Sequence, residues 1–594
     1  MSTIDTVRAD LPSLFWGPDR TPGEIESEPV VRIVRAEHGA ALLGAESFRG
    51  DLSLTVKPDD LLLVAQTLKI HPDLRFDMLM DVAGLDQLLL GRQPRFHAVY
   101  HFYSTEKKKR VRLHVPLDDA NPSVDSLTPL YKSANWGERE AYDMFGIRFV
   151  NHPDLRRILT HEEFVGYPLR KDYPADRRHM LSRAYSSYPG LEAEHEGRHS
   201  LVDAEGVERV YVNLGPSHPV THGTIRLQAL MDGEIISECR TEIGYLHRCF
   251  EKMVETHQYM QAFPYTDRLN YISAFTNNVG YAMTVEKLMQ VEVPPRAVWI
   301  RLVLLEFNRI MDHLVCIGPN LVDIGALTNF WYVIWPRELI YELLESCCGA
   351  RLTVSYGRVG GVAQDIPDGF LEHARSVANR IPEFIDYVDQ LITRNVIFQK
   401  RTRGVGIVTR ENAISWGWTG PCARASGVNV DLRREAPYYG YETLDFEIPV
   451  RNDGDTFARY IVRMREMRES LRIIHQLLDR GVPEGPYISP DHRVALPEKN
   501  EVYTNIEALM NHFKLVMHGF APPVGEVYSY HESPNGELGF YLVSDGSGKP
   551  YRLKVRPPCF YTLAANDEIM RGHMVADFAA IFGTYNIIAG ELDR

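Results

Sequence analysis

The sequence has few cysteines, and none of them is grouped. No two of the seven form a CxxC pair; they are Cys239, Cys249, Cys316, Cys347, Cys348, Cys422 and Cys559. A chain that holds its own iron-sulfur cluster normally supplies grouped thiolates. We therefore expect any such cluster to belong to a partner. The odd count, without a signal peptide, predicts reduced thiols in a cytosolic setting.

Long hydrophobic runs are also missing. The longest candidate, Ile324 to Trp335, has about a dozen residues, whereas a helix needs about twenty to cross a bilayer. The N-terminus lacks the basic region and apolar core of a signal peptide. These absences predict a chain that is soluble or peripheral to a membrane.

Basic charge is in deficit, with a formal net charge of -14. Phosphate contacts require a basic face, so nucleic acid is not an expected partner. A GxGxxG fingerprint is absent, which argues against NAD binding by the chain itself. The segment SDGSGKP resembles half a P-loop, but Val543 and Pro550 replace two of its required residues. We interpret it as a hairpin turn.

At 594 residues, the chain is long enough for three to five domain-sized units, and its 44% hydrophobic content is typical of globular proteins. The pattern predicts an α+β protein. We expect a flexible arm at 1–28, a mixed α/β domain at 29–174, a charged linker at 175–208, and a mainly helical bundle with small β elements at 209–594.

The N-terminal half contains several recognisable elements. Residues 59–70 have the pattern of an amphipathic helix, and the runs 96–104 and 110–116 predict a β-hairpin. Residues 135–149 predict a surface helix with an acidic first turn, whose Tyr142, Met144 and Phe145 pack inward. The segments HPDLRRIL (152–159) and YPLRKDYP (167–174) are basic and rich in proline. We interpret them as extended arms that dock on another surface.

Helical periodicity dominates the second half. A hairpin around Asp232-Gly233 comes first, and a small antiparallel sheet is predicted over residues 527–555. Between and around them, helices are predicted at 247–263, 268–291, 297–317, 332–348, 370–400 in two pieces, and 455–479.

The loop that ends at Gly223 carries two histidines, His218 and His222. It follows a strand-like run, and Gly215-Pro216 with a second proline between the histidines predicts an irregular loop rather than a helix. Such a loop can place a titratable side chain beside a bound molecule. A metal-binding pair is the less favoured interpretation, because the segment lacks the glutamate and the helix of the HExxH motif.

Two further residues attract attention in the C-terminal half. Tyr271 lies at a predicted helix start, where a packed core tyrosine is the commoner use. Asp323 lies in an apolar segment, and a buried carboxylate there needs a partner such as an imidazole. Residue patterns alone do not show that His222, Tyr271 and Asp323 meet.

A family resemblance connects these residues. The C-terminal half resembles the D-type subunit of proton-pumping NADH:quinone oxidoreductase, respiratory complex I, and EREAYDMFGI, HPDLRRIL and YPLRKDYP resemble its C-type subunit. The order matches the fused C/D subunit of some bacteria. The D-type segments, in order over residues 210–594, are GPSHPVTHG, IGYLHRCFEK, YTDRLNY, VEKL, LVDIGA, GGVAQDIP, YYGYETLDFEIP and SDGSGKPYRLKVRPP.

The resemblance implies a peripheral-arm subunit on the cytoplasmic side of the inner membrane. Its substrate would be a quinone, bound in a cavity shared with the B-type subunit that carries the terminal iron-sulfur cluster. The I-type, G-type and membrane H-type subunits would be further partners. No metal or flavin is expected on this chain, and the electron donor would bind elsewhere in the complex.

The same resemblance assigns site residues. His222 and Tyr271 would hydrogen-bond the quinone, and Asp323 would pair with His222. Arg248 would lie near the partner's cluster, and His218 would be a loop or cavity residue. Donors aimed at both quinone oxygens lower the cost of the charge that reduction places there, and His and Tyr can deliver protons.

Two positions depart from the family pattern. Cys249 stands where glycine usually follows the His-Arg pair, and Thr353 stands where many members carry a histidine near the cluster. Threonine cannot titrate, so a pH-dependent coupling to the cluster is not expected from this position. Electron transfer itself does not need it.

Two alternatives remain open from the sequence. The D-type fold is similar to the large subunit of nickel-iron hydrogenases, but those proteins bind metal through two CxxC pairs, which Cys249 and Cys559 cannot supply. The other alternative is a scaffold without a reactive role, belonging to a related ferredoxin or quinone oxidoreductase. For the C-type part, residues 30–174, we adopt the scaffold interpretation.

Overall fold

The computed structural model describes residues 19–177, 179, 200–202 and 208–594. Most of the predicted linker, 175–208, and the first 18 residues of the predicted arm lie outside this description. We refer to residues 19–177 as the N-terminal part and to residues 200–202 and 208–594 as the C-terminal part. Helices and strands occur in both, and the prediction of an α+β protein is confirmed.

A five-stranded sheet organises the N-terminal part. Its strand order is β1-β2-β5-β4-β3, and only the β2/β5 pair is parallel. The predicted hairpin is present as β4 and β5. The elements are α1 (Pro22–Ser27), α2 (Pro29–His38), β1 (Leu42–Phe48), β2 (Asp51–Val56), α3 (Leu61–Ile70), β3 (Met78–Asp86), β4 (Phe96–Tyr103), β5 (Arg110–Leu117), β6 (Ser123–Asp125), α4 (Ala134–Phe145) and β7 (Arg148–Val150).

Helix α1 corrects the prediction of a flexible arm over residues 1–28. The Oγ1 of Thr21 accepts a hydrogen bond from the Glu24 amide, and the Glu24 carboxylate accepts one from the Thr21 amide at 2.7 Å. Pro22 occupies the first position of the helix, where its missing N–H costs nothing. This capping box stabilises a helix that is too short to show helical periodicity in the sequence.

Helix α4 is buried, which contradicts the prediction of a surface helix. Glu138, Arg139, Glu140 and Asp143 are each at most 4% exposed. Burial of a charge is tolerated when the charge has partners, and each of these side chains has them. The sequence shows the charges but not their partners, so a solvated helix face was the wrong inference.

The two predicted arms dock on this chain itself. Three consecutive amides, of residues 158–160, donate to Oδ2 of Asp143 in α4 at 2.9–3.0 Å. The second arm extends to the C-terminal part, where Lys171 pairs with Glu255 at 2.8 Å. The first arm therefore docks within the N-terminal part, and the second joins the two parts of the chain.

The C-terminal part consists mainly of helices, as predicted. They are α5 (Phe250–Thr256), α6 (Phe263–Thr266), α7 (Ala274–Met289), α8 (Pro295–Asp323), α9 (Leu327–Cys348), α10 (Phe370–Val388), α11 (Val396–Thr402), α12 (Arg410–Ser415), α13 (Gly420–Ala425), α14 (Leu432–Glu435), α15 (Thr456–Arg480), α16 (Lys499–Thr504), α17 (Ile506–Met517), α18 (Pro558–Ala564), α19 (Asn566–Met570), α20 (Val575–Gly583) and α21 (Ala589–Asp593).

Three small sheets complete the C-terminal part. One has the order β11-β10-β9-β8, one the order β14-β15-β16, and one is the pair β12-β13. Their strands are β8 (Ser200–Val202), β9 (Glu208–Leu214), β10 (Arg226–Asp232), β11 (Ile235–Glu242), β12 (Gly357–Arg358), β13 (Gly361–Val362), β14 (Gly525–Ser533), β15 (Gly536–Ser544) and β16 (Arg552–Arg556).

Helix α8 is the centre of this part. It is 29 residues long and nearly all of its first 20 residues are buried. It packs against α7, α9, α15 and α20. Its apolar side chains join those of α9, α10 and α15 in one hydrophobic cluster. A helix that is apolar on most faces must be surrounded by other elements, and α8 is.

Two predicted helices are shorter than expected. The segment 247–263 contains only α5 and a short 3-10 turn, Tyr259–Ala262, because Cys249 adopts a left-handed conformation before α5. The segment 268–291 becomes helical only at Ala274. Residues 267–273 therefore form a turn, and Tyr271 lies in that turn.

Buried ion pairs connect the N-terminal part to the C-terminal part. Glu140 of α4 accepts from Lys554 Nζ at 2.9 and 3.0 Å and from Arg594 Nη2 at 2.8 Å. All three side chains are at most 5% exposed. A more exposed pair, Lys132 with Glu568, crosses the same junction at 2.7 Å. Within the described residues, no helix has the length and hydropathy to span a bilayer.

Candidate active site

The loop after β9 is shaped by a short 3-10 turn, Pro219–Thr221. His218 caps this turn, because its Nδ1 accepts a hydrogen bond from the Val220 amide at 3.3 Å. The buried Thr221 hydroxyl donates to the His218 carbonyl at 2.7 Å. His222 follows in the left-handed region, with φ of 49°. The irregular loop predicted here is thus a capped turn that presents His222.

His222 and Asp323 meet. The Nε2 of His222 lies 2.7 Å from Oδ2 of Asp323, the last residue of α8. The side chains are 23% and 11% exposed, so the pair is partly shielded from water. A hydrogen bond through Nε2 orients the ring and leaves Nδ1 available for another molecule. Among the residues that the structure describes, none forms a hydrogen bond with Nδ1, so this nitrogen of an oriented imidazole can bind another molecule.

Tyr271 lies in the turn before α7 and is half-buried. Burial raises the pKa of its hydroxyl, and the negative charge of Asp312 raises it further. The phenol is therefore protonated at neutral pH. Its hydroxyl forms no hydrogen bond with any residue that the structure describes. Tyr271 consequently offers a free hydrogen-bond donor.

Both candidate donors depend on the same helix. Asp323 of α8 binds His222, and Asp312 of α8 binds the side chains of Asn270 and Ser273, which flank Tyr271. Eleven residues separate the two aspartates, which corresponds to about 16 Å and close to three turns. The two aspartates therefore lie on the same face of α8. The loop that carries His222 and the turn that carries Tyr271 pack on that face.

The C-terminal segment lies against both elements. A Cβ on Gly223, next to His222, would approach the Ala589 Cβ to 3.1 Å. A Cβ on Gly590 would lie 2.4 Å from the Arg268 carbonyl oxygen, in the turn that carries Tyr271. Residues 589 and 590 thus contact the loop of His222 on one side and the turn of Tyr271 on the other.

Arg248 and Thr353 lie beside the same turn. The exposed Arg248 donates through Nη2 to the Arg268 carbonyl at 3.0 Å. Asp267 accepts from the Ser355 amide at 3.0 Å, which places the half-buried Thr353 two residues from a direct contact with the turn. The segments that carry Arg248, Tyr271 and Thr353 therefore adjoin at residues 267–268. His222 and Asp323 form a separate pair on the other side of Gly590.

Cys249 adopts a φ of 57°. This left-handed conformation suits glycine best, so the backbone keeps the shape that glycine allows while carrying a side chain. The imidazole of His247 lowers the pKa of the Cys249 thiol. The exposed side chain is thus an acidic thiol at the edge of the site.

Sequence reasoning missed Asp312 and Asn586. Asp312 is fully buried and accepts hydrogen bonds from Asn270, Ser273 and Asn586. The available signal was weak: Asp312 is one of several charged residues in the mainly apolar sequence of α8, eleven positions before Asp323. No group of three or more potential metal ligands occurs among the residues that the structure describes.

Comparisons with known proteins match both parts of the chain. The family "Respiratory-chain NADH dehydrogenase, 49 Kd subunit" matches residues 323–594, and "Respiratory-chain NADH dehydrogenase, 30 Kd subunit" matches residues 54–179. The D subunit of NADH-quinone oxidoreductase from Pelobacter propionicus is 46% identical over 397 residues, which are 67% of this chain and 98% of that protein.

Two fused relatives match most of the chain. A C/D subunit of NADH-quinone oxidoreductase from Aquifex aeolicus is 39% identical over 522 residues, 84% of this chain and 89% of that protein. The C/D subunit from Bdellovibrio bacteriovorus is 50% identical over 520 residues, 88% of this chain and 91% of that protein. The chain therefore belongs to the family of fused C/D subunits of NADH-quinone oxidoreductase.

Proposed function

We propose that this chain forms the quinone-reduction cavity of proton-pumping NADH-quinone oxidoreductase, together with a B-type subunit that carries the terminal iron-sulfur cluster. The observation that carries the proposal is the placement of His222 and Tyr271 on one face of α8. One is oriented by Asp323 and the other is a protonated phenol without a partner among the described residues. Two such donors suit the two oxygens of a quinone headgroup.

The geometry suggests a role for each atom. With Nε2 donating to Asp323, His222 can donate to a quinone oxygen only when Nδ1 also carries a proton. The Asp323 carboxylate compensates the positive charge of that imidazolium, and Nε2 keeps its proton after Nδ1 has released one. Tyr271 donates its hydroxyl to the other oxygen. Electrons would reach the quinone from the partner's cluster.

The surroundings of the site support the proposed partners. Leu327, Trp331 and Trp335, at helical spacing on α9, are 56–65% exposed and begin four residues after Asp323. This apolar stripe fits a membrane H-type subunit and a lipid-soluble substrate. Arg248 and Thr353 would face the cluster of the B-type subunit. We place the chain, with the I-type and G-type subunits, on the cytoplasmic side of the inner membrane.

The proposal is tested with His222→Ala and Tyr271→Phe in the assembled complex. We expect quinone reductase activity to fall by roughly a hundredfold or more, because each change removes a donor to developing negative charge. Assembly should be normal by native gel. Tyr265→Phe is the matched control, since Tyr265 is a half-buried tyrosine six residues away. Control-level rates for both site variants with several quinones would refute the proposal.

A further inference from the structure

One fully buried carboxylate, that of Asp312, binds two side chains of the turn that carries Tyr271. Asn270 Nδ2 donates to Oδ2 of Asp312 at 2.7 Å, and Ser273 Oγ donates to the same oxygen at 2.8 Å. These two residues flank Tyr271 in the chain. The turn belongs to neither α6 nor α7. Asn277 Nδ2 donates to the Asn270 carbonyl at 2.8 Å, and the bonds to Asp312 hold the Asn270 and Ser273 side chains on either side of Tyr271.

The other oxygen of Asp312 joins the turn to the C-terminal segment. It accepts a hydrogen bond from Asn586 Nδ2. Asn586 has a left-handed backbone, with φ of 58°, and its side-chain Nδ2 also donates to Asn535 Oδ1 at 2.7 Å. Three neutral side chains thus surround one carboxylate, and Asp312 forms no ion pair with any described residue.

Burying an aspartate without a cation costs free energy. The hydrogen bonds at this position do not by themselves require an aspartate. An asparagine or a serine could satisfy neutral donors at a lower desolvation cost. Buried carboxylates without an ion pair cluster at functional sites, where their charge acts on a reacting neighbour. The neighbour of Asp312 in the proposed site is Tyr271.

We propose that Asp312 is a positioning residue for Tyr271, which holds the phenol toward the quinone. This inference rests on the proposed function, in which Tyr271 is one of the two donors to the quinone. Asp312 itself does not touch the substrate. It acts through Asn270 and Ser273 on position, and through its charge on the proton.

The charges around the turn agree with this role. Burial raises the pKa of Tyr271, Asp312 raises it further, and the Cys559 thiol contributes least. Asp312 also acts on His313 and Cys316 of α8, Cys559 of α18 and Glu591 of α21. Loss of the Asp312 charge would lower the pKa of the Tyr271 phenol. Activity that needs the protonated phenol would then decline at lower pH than in the wild type.

The decisive variant is Asp312→Asn in the assembled complex, assayed with a water-soluble short-chain quinone from pH 7 to 11. We expect kcat to fall by about ten- to a hundredfold, because small displacements of a reacting group are costly. KM should change little. The alkaline limb of the kcat profile should move to lower pH. Asp81→Asn, an equally buried aspartate in β3, is the control and should leave the profile unchanged.

Two further variants separate the possible outcomes. Ser273→Ala removes one bond and keeps the charge, so it should lower kcat modestly without moving the alkaline limb. If Asp312 acts through Tyr271, Asp312→Asn combined with Tyr271→Phe should be no slower than Tyr271→Phe alone.

An additive loss in the double variant, or reduced kcat with an unmoved alkaline limb, would overturn the inference. If Asp312→Asn does not assemble, a wild-type kcat for Ser273→Ala would overturn it. A wild-type rate for Tyr271→Phe would instead refute the proposed function itself.

Discussion

Removal of the Glu140 carboxylate should weaken the junction between the two parts of the chain. Glu140→Ala leaves the side chains of Lys554 and Arg594 buried, each having lost its closest anionic partner. Breaking a buried ion pair from one side typically costs about 3–5 kcal/mol. Lys554 keeps Asp81 at 3.7 Å, and Arg594 keeps a hydrogen bond to the Val555 carbonyl. We therefore expect the lower end, about 3 kcal/mol.

The assay uses residues 1–179 and 200–594 as two separately encoded chains. Relatives that comprise the D-type part alone show that such a division occurs in the family. A cost of about 3 kcal/mol corresponds to a roughly hundredfold increase in the Kd between the two chains. Titration calorimetry or quantitative co-purification measures that change.

Glu568→Ala is the matched control, because its pair with Lys132 crosses the same junction but is about 40% exposed. Exposed pairs contribute about 0–1 kcal/mol, which is at most about a fivefold change in Kd. Equal effects of Glu140→Ala and Glu568→Ala would refute the reasoning that burial gives the first pair its importance. So would a change below tenfold for Glu140→Ala.

Two further predictions follow from titratable groups. Because His247 lowers the pKa of Cys249, iodoacetamide should modify Cys249 faster than Cys348, whose pKa is raised by burial, and His247→Gln should remove most of this difference. Peptide mass spectrometry measures both rates, and equal wild-type rates would contradict the prediction. Burial raises the pKa of Glu138 to about 8, so the folded state binds an extra proton and stability should fall as pH rises from about 4.5 to 8. Scanning calorimetry should show a smaller decline in Tm for Glu138→Gln, and an equal decline would argue against the assignment.

Periodicity predicted the elements that bury one face. The helices α8, α9, α10 and α15 were recognisable because their apolar residues recur at helical spacing, and the β4/β5 hairpin because its residues alternate. Helix α4 was misjudged, since Glu140 pairs with Lys554 and Arg594, more than 400 positions away in the sequence. Its other buried charges bond to irregular segments on either side of the helix. Patterns within one segment carry no information about such partners.

The candidate site was only partly predictable for the same reason. The loop of His222 was evident from its prolines and glycines, and the family resemblance named Tyr271 and Asp323. The turn around Tyr271 was predicted as helix. Tertiary bonds hold it in another conformation, among them those of Asp312 with Asn270 and Ser273. Side chains that hold a turn from another helix leave no periodic trace.

Helix α8 carries Pro319 between its two site aspartates. Proline removes one backbone hydrogen bond of the helix, so this is the point at which α8 bends most easily. A change of bend there would move Asp323 relative to Asp312, and with them His222 relative to Tyr271. The shape of α8 thus sets the distance between His222 and Tyr271. A partner that binds its last turn could change that distance without contacting either side chain.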